Sequence, residues 1–184
     1  MSFIIVLIII AAVVAFYGIG LYNKFVRKRS MMEEGWSGID VQLKKRYDLI
    51  PNLVETVKGY AKHEAGTLEK VIQARNSALK AEGVKAQTQA ENQLNSALAN
   101  VFALSESYPD LKANTTFIQL QQELSKVEND LEKARRYYNA TVRENNIMVE
   151  SFPSNMIANA FNFHQGEFFE IEEPAQRAAP QIKF

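Results

Sequence analysis

From residue 3 to residue 22 the chain reads FIIVLIIIAAVVAFYGIGLY, without one charged side chain. At about 1.5 Å per residue, a helix of that length reaches roughly 30 Å, the hydrocarbon thickness of a bilayer. Tyr17 and Tyr22 fall near one end, where aromatic rings settle at a membrane interface. A cleaved signal peptide is the competing reading, but it usually carries a basic region ahead of a shorter apolar core. Here no Lys or Arg precedes the span, and Lys24, Arg27, Lys28 and Arg29 follow it at once. The expectation is an uncleaved single-pass anchor, residues 1–23, in the cytoplasmic (inner) membrane. The positive-inside rule places its N-terminus outside and the rest of the chain in the cytoplasm.

Residues 24–35 read as a basic connector. Lys24 to Ser30 is a topology determinant first, and a contact for anionic lipid second. Gly35 and Gly38 each weaken a helix by about 1 kcal/mol relative to Ala, which suggests a flexible point between anchor and domain.

Residues 36–163 read as a helical bundle. Trp36, Leu43, Ile50 and Val57 recur every seven residues, and Tyr47, Val54 and Ala61 form a parallel row. This is the wide apolar stripe of a helix buried on one side. Pro51 removes one backbone donor and crowds the carbonyl of Tyr47. The rows stay in phase across it, so one kinked helix is expected. Gly66 and Thr67 break that helix, with Thr67 capping the next, which Gly83 ends. A third helix is expected from Lys85 to Ser107, and Tyr108-Pro109-Asp110 as a turn. Asn114 or Thr115 caps a long helix from Thr116 to about Glu150. Its rows are Phe117, Leu124, Leu131 and Tyr138, and Leu120, Val127, Ala134 and Thr141, a spacing that suits coiled-coil-like packing. Ser151-Phe152-Pro153-Ser154 stops it, and a short amphipathic helix follows, from Asn155 to Phe163. Residues 164–184 form a mixed aromatic and acidic tail that ends on Ile182 and Phe184. The fold class is therefore all-α: an N-terminal transmembrane helix followed by an antiparallel bundle of about four long helices.

Several stretches closely resemble the LemA family of bacterial membrane proteins. They are WSGIDVQLKKRYDLIPNLVETVKGYAKHE, AENQLNSAL, YPDLKANTTFIQLQQEL, ARRYYNATVRENN, FPSNMIANAFNF and the closing IKF. The resemblance covers nearly the whole chain. It implies one N-terminal membrane helix and a domain of long antiparallel helices, and it implies no particular reaction. It also suggests an association with a membrane metalloprotease or with envelope-stress functions.

Chemistry-bearing motifs are sparse. The chain has no cysteine, which excludes disulfides and thiol chemistry, and its 21 basic and 21 acidic residues balance, which gives no reason to expect a nucleic-acid surface. Of the two histidines, His63 is followed by Glu64 but no H-E-x-x-H pattern forms, and His164 stands apart. No cofactor or metal is expected. Asp40, Arg46 and Asp48 lie on or beside the apolar rows of the first domain helix. Arg135, Arg136 and Asn145 are their counterparts on the long later helix. Buried polar groups must be paired, so these read as an inter-helix network that fixes register, or as a ligand or partner site. Asp40 and Asp48 are two helical turns apart, too far to share one ion. Phe161, Phe163, Phe168 and Phe169 either close the end of the bundle or contact the membrane interface or a neighbouring subunit, and Phe184 joins them as an interaction candidate. The functional expectation is a non-enzymatic membrane-anchored scaffold or adaptor. Its partners would be the lipid bilayer and further copies of itself. The alternatives are a regulator of a membrane metalloprotease and an enzyme with an unrecognised polar site.

Overall fold

The computed structural model describes residues 1–170, and the expected contacts of Ile182 and Phe184 lie outside them. Among the described residues there are six α-helices and no strand: α1 (Ser2–Tyr60), α2 (Ala65–Leu79), α3 (Val84–Ser105), α4 (Pro109–Lys112), α5 (Thr115–Glu150) and α6 (Ser154–Ala160). The all-α expectation holds. The Tyr-Pro-Asp turn is a short helix, α4, with Pro at its first position, where a missing N–H leaves nothing unsatisfied.

Asn114 caps α5 as expected, its Oδ1 accepting from the Phe117 N–H at 2.9 Å. Thr67 caps nothing: α2 begins at Ala65, after Glu64, and Thr67 is already inside its first turn. Gly83 does not end α2, which stops at Leu79. It precedes α3 instead, at φ +81°, a conformation that L side chains rarely adopt.

Contacts divide the chain into two compact units. One comprises residues 1–39 and 134–168; the other comprises residues 40–133, together with Phe169 and Glu170.

In the first unit, α1 and α5 run antiparallel. Lys28 pairs with Glu144, and further along α1 Trp36 meets Tyr138 edge-on at 5.6 Å. Gly35 is buried where the two helices meet: a Cβ there would lie 3.1 Å from the Tyr138 Cα. The expected flexible point is therefore, at Gly35, a close helix–helix approach inside an unbroken helix. Gly38 faces open space. Phe25 is fully buried and stacks on Phe163 at 4.8 Å. After α6 the chain turns back along α5.

In the second unit, residues 40–60 of α1, α2, α3 and residues 115–133 of α5 enclose the core. Leu43, Ile50, Leu53, Val57, Val71, Leu94, Val101, Leu111 and Leu131 are essentially sealed from solvent. A short connection, residues 80–83, between α2 and α3 makes them an antiparallel hairpin. Pro51 is exposed, and α1 continues through it. With no N–H at position 51, the Tyr47 carbonyl loses its intrahelical donor. Arg75 of α2 supplies a substitute, its Nε donating to that oxygen at 2.8 Å.

Candidate functional site

The second unit holds a polar cluster in its core. Arg46 and Tyr47 project from α1, and Gln87, Glu91 and Asn95 from successive turns of α3. The Glu91 carboxylate is fully buried. Arg46 Nη1 donates to its Oε2 at 2.8 Å, and the Tyr47 hydroxyl donates to its Oε1. Gln87 Nε2 donates to the Tyr47 hydroxyl oxygen at 2.7 Å, and Arg46 Nη2 donates to Asn95 Oδ1. Glu128 of α5 approaches Arg46 Nη1 at 3.4 Å, so one guanidinium bridges two carboxylates. Each oxygen of Glu91 thus meets a donor, as a charge taken out of water requires. Burial pushes the Tyr47 phenol well above its ordinary value, and the adjacent Glu91 carboxylate adds to the rise. The phenol is therefore held protonated, as a hydrogen-bond donor.

Arg46, Asn95 and Glu128 of this cluster line a cleft of about 440 Å³. Arg46, Asn95, Gln121, Ser125 and Glu128 give it a polar side; Leu98, Phe102 and Leu124 give it an apolar one. Arg46, the cation in its lining, already faces two carboxylates. The cleft offers amides, a hydroxyl and one partly exposed carboxylate, not a spare positive charge.

The first unit holds a second polar array. Asn145 Nδ2 donates to the His164 carbonyl at 3.0 Å. Asn146 clamps Gly166 from both sides: its Nδ2 donates to the glycine carbonyl at 3.0 Å, and its Oδ1 accepts from the glycine N–H at 2.8 Å. The Tyr138 hydroxyl donates to the Glu167 carbonyl at 2.9 Å. These α5 side chains replace the strand partner that the extended backbone after α6 would otherwise need. A Cβ at Gly166 would lie 3.1 Å from Met32 Sδ.

The residues singled out from sequence separate accordingly. Arg46 is in the core cluster. Asp40 and Asp48 are exposed, and Asp48 pairs with Lys44 on its own helix at 3.0 Å. Arg135 is buried, Arg136 is exposed, and Asn145 holds the extended backbone after α6. Phe169 is buried and Phe163 half-buried; Phe161 and Phe168 are exposed. Phe184 lies outside the described residues. Sequence reasoning passed over Glu91 and Gln87. The signal was present: Gln87, Glu91, Leu94, Leu98, Val101 and Ser105 alternate by four and three, all on the buried face of α3. His63 and His164 are both exposed, and among the described residues no three His, Asp or Glu side chains are gathered to hold a metal ion.

A helical chain whose first helix opens with an exposed apolar stretch of membrane-crossing length, and which goes on into helical bundles, fits a membrane protein. The model of the LemA family matches residues 35–184, and the chain belongs to that family. It is 24% identical over 172 residues to Protein LemA of Metamycoplasma hominis, covering 93% of this chain and 78% of that one. It is 26% identical over 194 residues to Magnetosome protein MamQ 2 of Paramagnetospirillum magneticum, covering 90% and 71% respectively. Magnetosome protein MamQ of Magnetospirillum gryphiswaldense is 24% identical over 180 residues, with 84% and 66% covered.

Proposed function

We propose that this protein is a non-enzymatic scaffold or adaptor. It is anchored in the cytoplasmic membrane with its bundles in the cytoplasm, and works as a homo-oligomer through its helical surfaces. The observation that carries the reading is the continuity of α1: one helix of 59 residues is both the apolar span and a core element of each unit. A tether that only retained a soluble enzyme at a membrane would need no such continuity. The polar core fits the same role, because the Glu91 charge is consumed by Arg46 and Tyr47 within the bundle. Self-association is favoured by confinement of the chains to a plane, where weak contacts act at high effective concentration. Ala11, Ala12, Ala15 and Gly20 add small exposed residues that let membrane helices approach.

The test is the mass of the complex purified in mild detergent and in lipid nanodiscs. The expected result is one defined multiple of the chain. A monomer under every condition overturns the oligomer. A fixed complex with a membrane protease, and no self-association, moves the role to that of a protease partner.

A further inference from the structure

Between Glu150 and His164 no residue is charged: residues 151–163 read SFPSNMIANAFNF. The segment includes α6 and exposes large apolar side chains, with Phe152 80%, Met156 62% and Phe161 56% accessible. Single exposed hydrophobes are ordinary on a soluble surface, but an uncharged cluster of them is not. Its position gives the reason. Ile157 packs at Gly18, 3.7 Å from where a Cβ would stand, and the Phe161 ring meets Tyr22 at 4.9 Å. Both α1 residues belong to the uncharged span 3–22. Ala15, Gly18, Ile19, Tyr22, Ile157 and Phe161 enclose an apolar groove of about 350 Å³ between them. An α1 that crosses a bilayer therefore carries α6 to the level of the last turns of the apolar span, Gly18 and Tyr22 being about 6 Å apart along the helix at 1.5 Å per residue.

The backbone is suited to that place. The Asn155 N–H donates to the Ser151 carbonyl at 2.7 Å, the Phe161 N–H to Ile157 at 3.0 Å and the Phe163 N–H to Ala158 at 2.9 Å. The Ser154 hydroxyl is turned inward, to the Met148 carbonyl at 2.7 Å. Such internal pairing is what a segment in contact with lipid requires. Asn159 and Asn162, both exposed, would set its depth at the headgroups, short of the hydrocarbon centre. Lys24 and Arg27, exposed just past the span, lie where lipid phosphates would meet them.

We infer that residues 151–163 are a second membrane contact. They form an interfacial foot that lies at the boundary of headgroups and acyl chains, and the groove beside Gly18 seats a phospholipid acyl chain. The occupant is lipid, because the patch continues the exposed apolar surface of α1 without a charged residue between. The inference rests on the membrane anchoring of α1, and the experiment separates the two. Because the chain has no cysteine, single reporters can be placed at Val6→Cys, Met156→Cys and Ser96→Cys. Each labelled full chain is reconstituted into phosphatidylethanolamine–phosphatidylglycerol vesicles, with or without nitroxide lipid. The labels at 6 and 156 should lose most of their fluorescence to the nitroxide and resist aqueous iodide; the label at 96 should do the reverse. A label at 156 that iodide quenches and nitroxide spares, while that at 6 behaves as expected, overturns the foot and leaves the anchor standing. Shielding of 156 from both quenchers means that protein covers the patch, which also overturns the inference. A label at 6 that escapes the nitroxide overturns both.

Discussion

Glu91 is the residue on which the polar core depends, because it is fully buried with its charge. Removing one member of a buried ion pair strands the other, whereas replacing both with apolar residues of similar volume is often close to neutral. Glu91→Ala should therefore destabilise the protein by about 3–5 kcal/mol in urea unfolding, and Arg46→Met with Glu91→Leu should destabilise it much less. The Tyr47 hydroxyl gives a pH counterpart. Burial, and then the Glu91 charge, raise its folded value above the ordinary 10.0, so the folded state keeps a proton that the unfolded state gives up. Its contribution is fully present below pH 10.0 and is lost as the pH climbs from there through the raised folded value. Tyr47→Phe should accordingly lower stability at neutral pH and flatten the alkaline fall, as followed by thermal melts across that range. Sequence made Arg46 legible because it is a polar residue beside an apolar row. Glu91 was hidden because a charged residue inside such a row looks like an interruption of it. Asp40 and Asp48, beside the same row as Arg46, fall on the solvent side, since a stripe's edge is set by the neighbouring helix and not by spacing alone.

The elements follow the heptad rows closely, and Leu43 and Leu131, taken from those rows, are both sealed in the core. Boundaries were less legible, because a break needs tertiary partners that spacing does not show. Pro51 illustrates this. The in-phase rows predict continuity, but not that Arg75, from another helix, would take the vacated Tyr47 carbonyl. Arg75→Ala should cost about 1–3 kcal/mol by orphaning that oxygen. In a Pro51→Ala background the helix supplies its own N–H, so the same change should cost much less; a double-mutant cycle of unfolding free energies measures the coupling. Glycines behave as differently as their surroundings. Gly35→Ala forces a Cβ against the α5 backbone and should destabilise by roughly 1–3 kcal/mol. Gly38→Ala meets open space and should stabilise α1 by about 1 kcal/mol or less. Equal costs at the two positions would mean that α1 and α5 do not approach at Gly35. Sequence rated the pair alike, because propensity alone cannot see a neighbouring helix.

At the scale of the whole molecule, the apolar span and the basic group after it were the clearest features of the sequence. Partners were illegible, because an interaction surface has no fixed spacing. The orientation of the chain is where the two meet. Lys24, Arg27 and Arg29 remain exposed on α1 beyond the apolar stretch, and Lys28 pairs with Glu144 of the same unit. Cations on one flank of a membrane helix hold that flank on the cytoplasmic side. Everything from Lys24 onward, including the cleft around Arg46, should then face the cytoplasm. Lys80 lies just past the end of α2 and is exposed, so Lys80→Cys gives an accessible reporter. In intact cells it should resist a membrane-impermeant maleimide and react once the membrane is opened, while the cysteine-free parent stays unlabelled throughout. Ready labelling before permeabilisation would turn the molecule round. It would place the bundles outside the cytoplasm, and with them the surfaces through which a scaffold would have to act. Substituting Lys24, Arg27, Lys28 and Arg29 together by Gln should weaken the orientation and produce a labelled fraction, if those charges are what set it.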